Sequence, residues 1–62
     1  MSKFIKLYNQ DNIVSSYINL DNVVEFDVIN DTVTMTNGTV YTITSQQQVE
    51  KVKEYIQNNI LW

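Results

Sequence analysis

The chain has 62 residues, a net charge of −3, and neither cysteine nor histidine. This length provides for one domain with a small core, and the missing residue types exclude disulfides, thiolate metal sites and the commonest general base. The four basic residues are all Lys and are too few for the basic stripe that nucleic-acid binding requires, so we expect no nucleic-acid partner.

The N-terminal segment shows no signal for export or membrane insertion. Residues 1–8 carry a charge at Lys6 and have neither a long apolar run nor a small-residue cleavage site, so a signal peptide is not predicted. No segment approaches the roughly 20 apolar residues that span a bilayer. We therefore expect a soluble, cytoplasmic protein that forms one domain over residues 1–62.

Two strands are predicted at the start of the chain. The first, Phe4 to Tyr8, is apolar on both faces and ends at the turn-forming residues 9–12. The second runs from Ile13 to Leu20, and the more apolar of its two faces is expected to lie on the core. That face consists of Val14, Ser16, Ile18 and Leu20.

A third strand is predicted from Val23, after a turn at residues 21–22. Its alternation is typical of a half-buried antiparallel strand. The face expected to be buried holds Val24, Phe26 and Val28. The opposite face, with Glu25 and Asp27, is expected to be exposed to water.

The strongest structural signal is Asn37-Gly38, because both residues tolerate the positive φ that tight hairpin turns need. It joins a strand over residues 32–36 to a second β-rich run. A two-residue loop would place Met35 opposite Val40, whereas a three-residue loop with Gly38 in a bulge gathers the apolar side chains on one face. That face would hold Val33, Met35, Tyr41 and Ile43, which favours the bulged form.

The other face of this hairpin is rich in threonine: Thr32, Thr34, Thr42 and Thr44. Threonine has a high β propensity and a hydroxyl suited to a wet surface, so an exposed sheet face is the simplest interpretation. A flat threonine face can also bind ice or a protein partner, but ice binding needs several regular repeats and one hairpin does not supply them. We take these four residues as candidate protein-contact residues.

A helix over about residues 46–61 is predicted from a capping box, in which Ser45 and Gln48 satisfy each other's backbone donors. Its apolar stripe, expected to pack on the sheet, consists of Val49, Val52, Ile56 and Ile60, broadened by Tyr55 and Leu61. The solvent side carries Glu50, Lys51, Lys53 and Glu54. Trp62 is either a clamp on the core or a contact for a partner, and it joins the candidate contact residues.

The sequence offers little raw material for catalysis. Glu25 and Asp27 are the closest candidates for an acid/base pair, but nothing apolar surrounds them to raise one pKa. The oxygen-bearing turns are too sparse for a calcium loop, and a single Gly excludes a Gly-rich phosphate cradle. We therefore expect no enzyme activity, no cofactor and no metal.

Several short motifs resemble those of a known family. They are Leu7-Tyr8-Asn9, Asn19, Val23-Val24-Glu25-Phe26, Asp31-Thr32-Val33, Met35-Thr36-Asn37-Gly38 and Tyr41-Thr42-Ile43, followed by a helix after Ser45. In this order the chain resembles the small flagellar proteins of the FlbD type, also known as SwrD-type swarming proteins. It departs from their pattern at Gln10, where the family has Gly, and at Asn30, where the family often has Pro. The resemblance implies a motility accessory protein that acts through protein contacts at the flagellar motor and has no catalytic residues.

Together these elements predict an α+β domain of four or five short antiparallel strands, strongly bent or partly barrel-like, followed by one C-terminal amphipathic helix. The predicted core consists of Ile5, Leu7, Val14, Ile18, Leu20, Val24, Phe26, Val28, Val33, Met35, Tyr41, Ile43, Val49, Val52 and Ile56. We expect a non-catalytic protein-interaction module, an accessory or regulatory protein of a bacterial cell. The alternative is an accessory protein encoded by a phage, prophage or plasmid that binds a host or structural protein.

The same features lead us to expect a homo-oligomer. A chain of this size is near the margin of stability on its own, and association would supplement its core. The first strand or the hairpin would pair with a second copy, because an uncharged, Thr-rich edge lacks the usual protection by Lys or Pro.

Overall fold

A computed structural model describes residues 3–61 of the chain. Its elements are β1 (Phe4–Tyr8), β2 (Val14–Asn19), β3 (Val23–Asp27), β4 (Thr32–Met35), β5 (Val40–Thr42) and α1 (Gln46–Gln57). One 3₁₀ turn, Leu20–Asn22, joins β2 to β3. The α+β class, the antiparallel strands and the C-terminal helix are confirmed.

The strands form two small sheets, so the single bent or barrel-like sheet predicted from the sequence is wrong. One sheet pairs β1 with β2, and the other has the order β3-β4-β5. The 3₁₀ turn separates them, because the Asn19 side chain accepts the Asp21 N–H and redirects the chain directly after β2. As a result β3 pairs with β4, which follows it, and not with β2.

The first sheet follows the predicted pattern closely. Ile5 lies opposite Ile18, and both are buried. The turn before β2 is held by Asn9, whose side-chain oxygen accepts the N–H groups of Asp11 and Ile13. The strand therefore begins one residue later than predicted, at Val14.

Two predicted core residues are exposed, Val24 because of a β-bulge in β3 and Val28 because the strand ends before it. Val23 lies opposite Met35 and Glu25 lies opposite Thr34, so Val24 is the additional residue. Val24 is 64% exposed, and Val23 packs against the core in its place. Val28 lies in the turn after β3 and is also 64% exposed. The predicted burial of Val24 and Val28 is therefore wrong.

The β4–β5 hairpin has the bulged, three-residue loop favoured by the sequence. Val33 lies opposite Tyr41 and Thr34 opposite Val40. The Gly38 N–H donates to the Met35 carbonyl at 2.9 Å, and Gly38 has a φ of +89°, a conformation that favours glycine. This register puts Val33, Met35, Tyr41 and Ile43 on one face, as predicted, with Val33, Met35 and Ile43 buried and Tyr41 half-buried.

The helix begins after Ser45 as predicted, but the reciprocal capping box is wrong. Ser45 makes no side-chain capping bond, and Gln48 turns inward to the first sheet. The helix ends at Gln57, four residues before the predicted end, because the chain turns at residues 58–59. Ile60 and Leu61 therefore lie beyond it and are 47% and 92% exposed.

The core lies where the helix meets the two sheets. Its buried apolar residues are Ile5, Leu7, Ile18, Leu20, Val33, Met35, Ile43, Val49 and Val52. Three further predicted members, Phe26, Tyr41 and Ile56, are half-buried against them. Val14 is half-buried as well.

Candidate protein-binding site

A groove of about 550 Å³ lies between β3 and the C-terminal half of α1. Apolar side chains dominate its lining: Val24, Phe26 and Val28 from the strand side, and Val52, Tyr55 and Ile56 from the helix. The sheet ends at β3, and Tyr55 and Ile56, which line the groove from the helix, are only half-buried. The groove therefore joins an edge strand to a partly uncovered helix face.

The backbone of β3 contributes to this site. The Met35 N–H and the Asp31 carbonyl form hydrogen bonds on the side of β4 that faces β5. Because the backbone groups of successive residues in an antiparallel strand point to opposite sides, those of Thr32 and Thr34 point toward β3. Thr34 and Thr32 lie opposite Glu25 and Asp27 of β3. Phe26 lies between these two, so its N–H and carbonyl point away from β4, toward the groove. Among residues 3–61, no strand pairs with this outer edge of β3. An open edge beside an apolar groove is the geometry that accepts an added strand.

The predicted threonine face is present on the outer side of the three-stranded sheet. Its residues lie in two rows across the strands, Asp27, Thr32 and Thr42 in one and Glu25, Thr34 and Val40 in the other. Thr44 is exposed and lies outside β5, in the connection to α1, so three of the four threonines lie within the strands. Trp62, the fifth candidate contact residue, lies outside the described residues.

Asp27 is held as a carboxylate by the turn that follows β3. Its oxygens accept the Asn30 side-chain amide at 2.9 Å and the backbone N–H groups of Ile29 at 2.9 Å and Asn30 at 3.1 Å. These bonds, that of the Asn30 amide above all, lower the pKa of Asp27 below its ordinary value. A general acid needs a raised pKa, so this environment favours a fixed negative charge at the sheet edge.

Tyr55 separates the groove from a second, smaller recess of about 300 Å³, and it lines both. Its hydroxyl donates to an Asp21 carboxylate oxygen at 2.6 Å, which raises the pKa of Tyr55. The Lys3 ammonium lies 5.7 Å from the centre of the Tyr55 ring, within the range of a cation–π contact. The position of this ring, and with it one wall of the groove, is therefore fixed by polar contacts with two other segments.

The sequence does not predict the groove, because the alternation of β3 predicts Val24 and Val28 in the core. One signal was available: Val23 and Val24 are adjacent, and neighbouring side chains in a regular strand point to opposite faces. One of the two therefore had to lie outside the core. The sequence does not indicate that this residue is Val24, since that depends on the bulge.

Within the part of the chain that the structure describes, no group of acidic side chains is arranged to hold a metal ion. In the same residues, 3–61, no helix has the length and apolar character needed to cross a bilayer. Comparison with known proteins gave no family assignment, since no protein-family model, no curated protein and no solved structure matches this chain.

Proposed function

We propose that this protein is a small non-catalytic protein-interaction module whose docking site is the groove between β3 and α1. The observation that supports this most directly is the exposure of Val24 and Val28, each 64%, beside the half-buried Tyr55 and Ile56. Apolar side chains that form a continuous concave surface are typical of interaction sites, whereas isolated exposed ones are not.

The biological setting that we propose is an accessory or regulatory role in a bacterial cell, and specifically in motility. This part rests on the motif resemblance to the FlbD-type flagellar proteins. The alternative is an accessory protein of a phage, prophage or plasmid that binds a host or structural protein. Deletion separates the two, because loss of a motility accessory impairs swimming or swarming, whereas loss of a mobile-element protein leaves both unchanged.

Paired variants test the location of the docking site. Val24→Asp places a charge in the groove, and Val40→Asp places the same charge on the threonine face at a similar exposure of 58%. Tagged wild-type protein and both variants would be used to capture partners from lysate, with mass spectrometry of the bound proteins. We expect a specific partner to be retained by the wild type and Val40→Asp and lost from Val24→Asp. Loss from Val40→Asp alone would move the docking site to the threonine face or the outer edge of β5 and contradict the groove.

We further propose that the protein self-associates through the outer edge of β5. The Thr39 carbonyl and the Ile43 N–H form hydrogen bonds to β4 and the residue before it. Because backbone groups alternate in direction along a strand, those of Val40 and Thr42 point away from β4, to the outside of the sheet. Both residues are uncharged and exposed. The other candidate edge, β1, receives less support, because Gln48 occupies its outer N–H at Lys6.

A further inference from the structure

Among residues 3–61, no strand pairs with the outer edge of β3, which is the position that an added strand would take. A strand added to a sheet lies about 4.7–4.9 Å from its neighbour. Here such a strand would lie beside the groove, whose helix side is lined by Tyr55 and Ile56. The Phe26 N–H and carbonyl would supply main-chain hydrogen bonds to it. Alternate side chains of the added strand would then enter the groove, and the others would lie on the outer face of the sheet.

The outer face at this edge is negatively charged. Glu25 and Asp27 lie two residues apart on the same side of β3, as shown by their positions opposite Thr34 and Thr32, and Glu25 also borders the groove. The cation that lines the groove, Lys53, forms an ion pair with Glu50 at 3.6 Å on the helix surface. The side chains of an added strand that lie on the outer face would therefore meet two carboxylates, and opposite charges in such cross-strand pairs are stabilising.

The same carboxylates disfavour a second copy of this chain at the β3 edge. If two β3 strands paired in antiparallel fashion about Phe26, Glu25 of each copy would lie opposite Asp27 of the other. Like charges directly opposite each other destabilise a sheet, and charged side chains are a common protection of edge strands. The β3 edge is therefore suited to a partner with the opposite charge and not to self-pairing.

We infer that β3 binds an extended partner segment in which apolar and cationic residues alternate, the apolar ones entering the groove and the cationic ones lying beside Glu25 and Asp27. This inference rests on the proposed function and specifies the chemistry of the partner. A segment of about five residues matches β3 in length, since β3 has five residues itself.

The test uses a synthetic peptide, Lys-Val-Lys-Val-Lys-Val-Lys, and an otherwise identical peptide with Glu in place of every Lys. Binding of each labelled peptide to the full chain would be measured by fluorescence anisotropy at low and high salt. We expect the Lys peptide to bind about tenfold or more tightly than the Glu peptide, with a difference that shrinks as salt rises. Equal binding of both peptides, or binding of neither, would overturn the inference.

Two controls identify the edge and the binding mode. The double variant Glu25→Gln/Asp27→Asn should lose most of the preference for the Lys peptide, whereas Asp11→Asn/Glu54→Gln, with the same change in net charge, should keep it. A Lys peptide methylated on alternate backbone nitrogens should bind more weakly if main-chain pairing contributes, and unchanged binding would exclude strand addition. If the peptides fail to discriminate while Val24→Asp still abolishes capture of a partner, the inference fails and the proposed function stands.

Discussion

The side chain of Gln48 closes the outer edge of β1 at Lys6, since its Oε1 accepts the Lys6 backbone N–H at 2.8 Å. Gln48 is 3% exposed and lies in the first turn of α1, so this bond joins the helix to a strand that is 42 residues distant in sequence. Lys6 pairs with Tyr17 of β2 on its other side. The Gln48 side chain therefore accepts a backbone N–H that forms no hydrogen bond within the sheet.

Replacement of Gln48 by Met should lower the free energy of unfolding by about 1–3 kcal/mol, because Met has a similar size but leaves the Lys6 N–H without its acceptor. Urea unfolding followed by circular dichroism would measure the change. The matched control is Gln47→Met on the exposed side of the same turn, which should stay within about 0.5 kcal/mol of the wild type. Equal effects of the two variants would show that the bond does not contribute to stability.

The role of Gln48 also shows where sequence reasoning reached its limit. The Ser45 to Gln48 pattern correctly placed the start of the helix, because local capping preferences act within one turn of chain. The pattern cannot reveal that a β1 donor 42 residues away competes for the Gln48 amide. Long-range hydrogen bonds of this kind depend on tertiary packing and leave no local signature.

Because of the bulge at Val24, truncation of this side chain to Ala should affect the free energy of unfolding much less than truncation of the buried Ile18. Val24→Ala should change the free energy of unfolding by no more than about 0.5 kcal/mol, because the side chain is 64% exposed. Ile18→Ala should cost about 2–5 kcal/mol, because Ile18 of β2 is 5% exposed and its truncation leaves a cavity in the core. Chemical denaturation of both variants would measure the difference. A large loss for Val24→Ala would restore the regular alternation predicted from the sequence.

Gly38→Val should destabilise the hairpin by about 1–3 kcal/mol through backbone strain. Gly38 has a φ of +89°, and a Cβ built at this position meets no atom within 4 Å, so the β-carbon itself causes no steric crowding. Gly38→Asn should cost less, because Asn tolerates positive φ better than a β-branched residue. Thermal unfolding of the two variants would separate strain from crowding, and an unchanged melting temperature for Gly38→Val would contradict the bulged turn.

The bond between Tyr55 and Asp21 predicts a loss of stability at alkaline pH. The hydrogen bond to Asp21 raises the pKa of Tyr55 in the folded state above its ordinary value of 10.0. Its stabilising contribution is therefore complete below pH 10 and is lost as the pH rises through the higher folded-state pKa. Tyr55→Phe should flatten this alkaline decline in urea unfolding experiments, whereas Tyr17→Phe, at an exposed site, should leave it unchanged. A decline of equal steepness in all three proteins would exclude a contribution from this pair.

The β4–β5 hairpin could be predicted from the sequence, whereas the groove beside β3 could not. The hairpin register was accessible, because Asn37-Gly38 restricts the turn locally and only one register gathers the apolar residues. The groove was not, because it depends on the bulge at Val24 and on which side chains of the helix face β3. Both result from tertiary packing, and the helical stripe alone does not reveal which part of it the sheet leaves uncovered.

The contrast between the two sheet edges yields a prediction about self-association. Two β5 strands can pair without opposing charges, since Val40 and Thr42 are neutral, whereas β3 would bring Glu25 against Asp27. We expect light scattering at high protein concentration to report a dimer. Val40→Lys should make the protein monomeric, because a lysine on an edge strand disfavours pairing. The control Val24→Lys, on the β3 side at similar exposure, should remain dimeric. A monomeric wild type would refute self-association, and dissociation by Val24→Lys alone would assign the contact to β3.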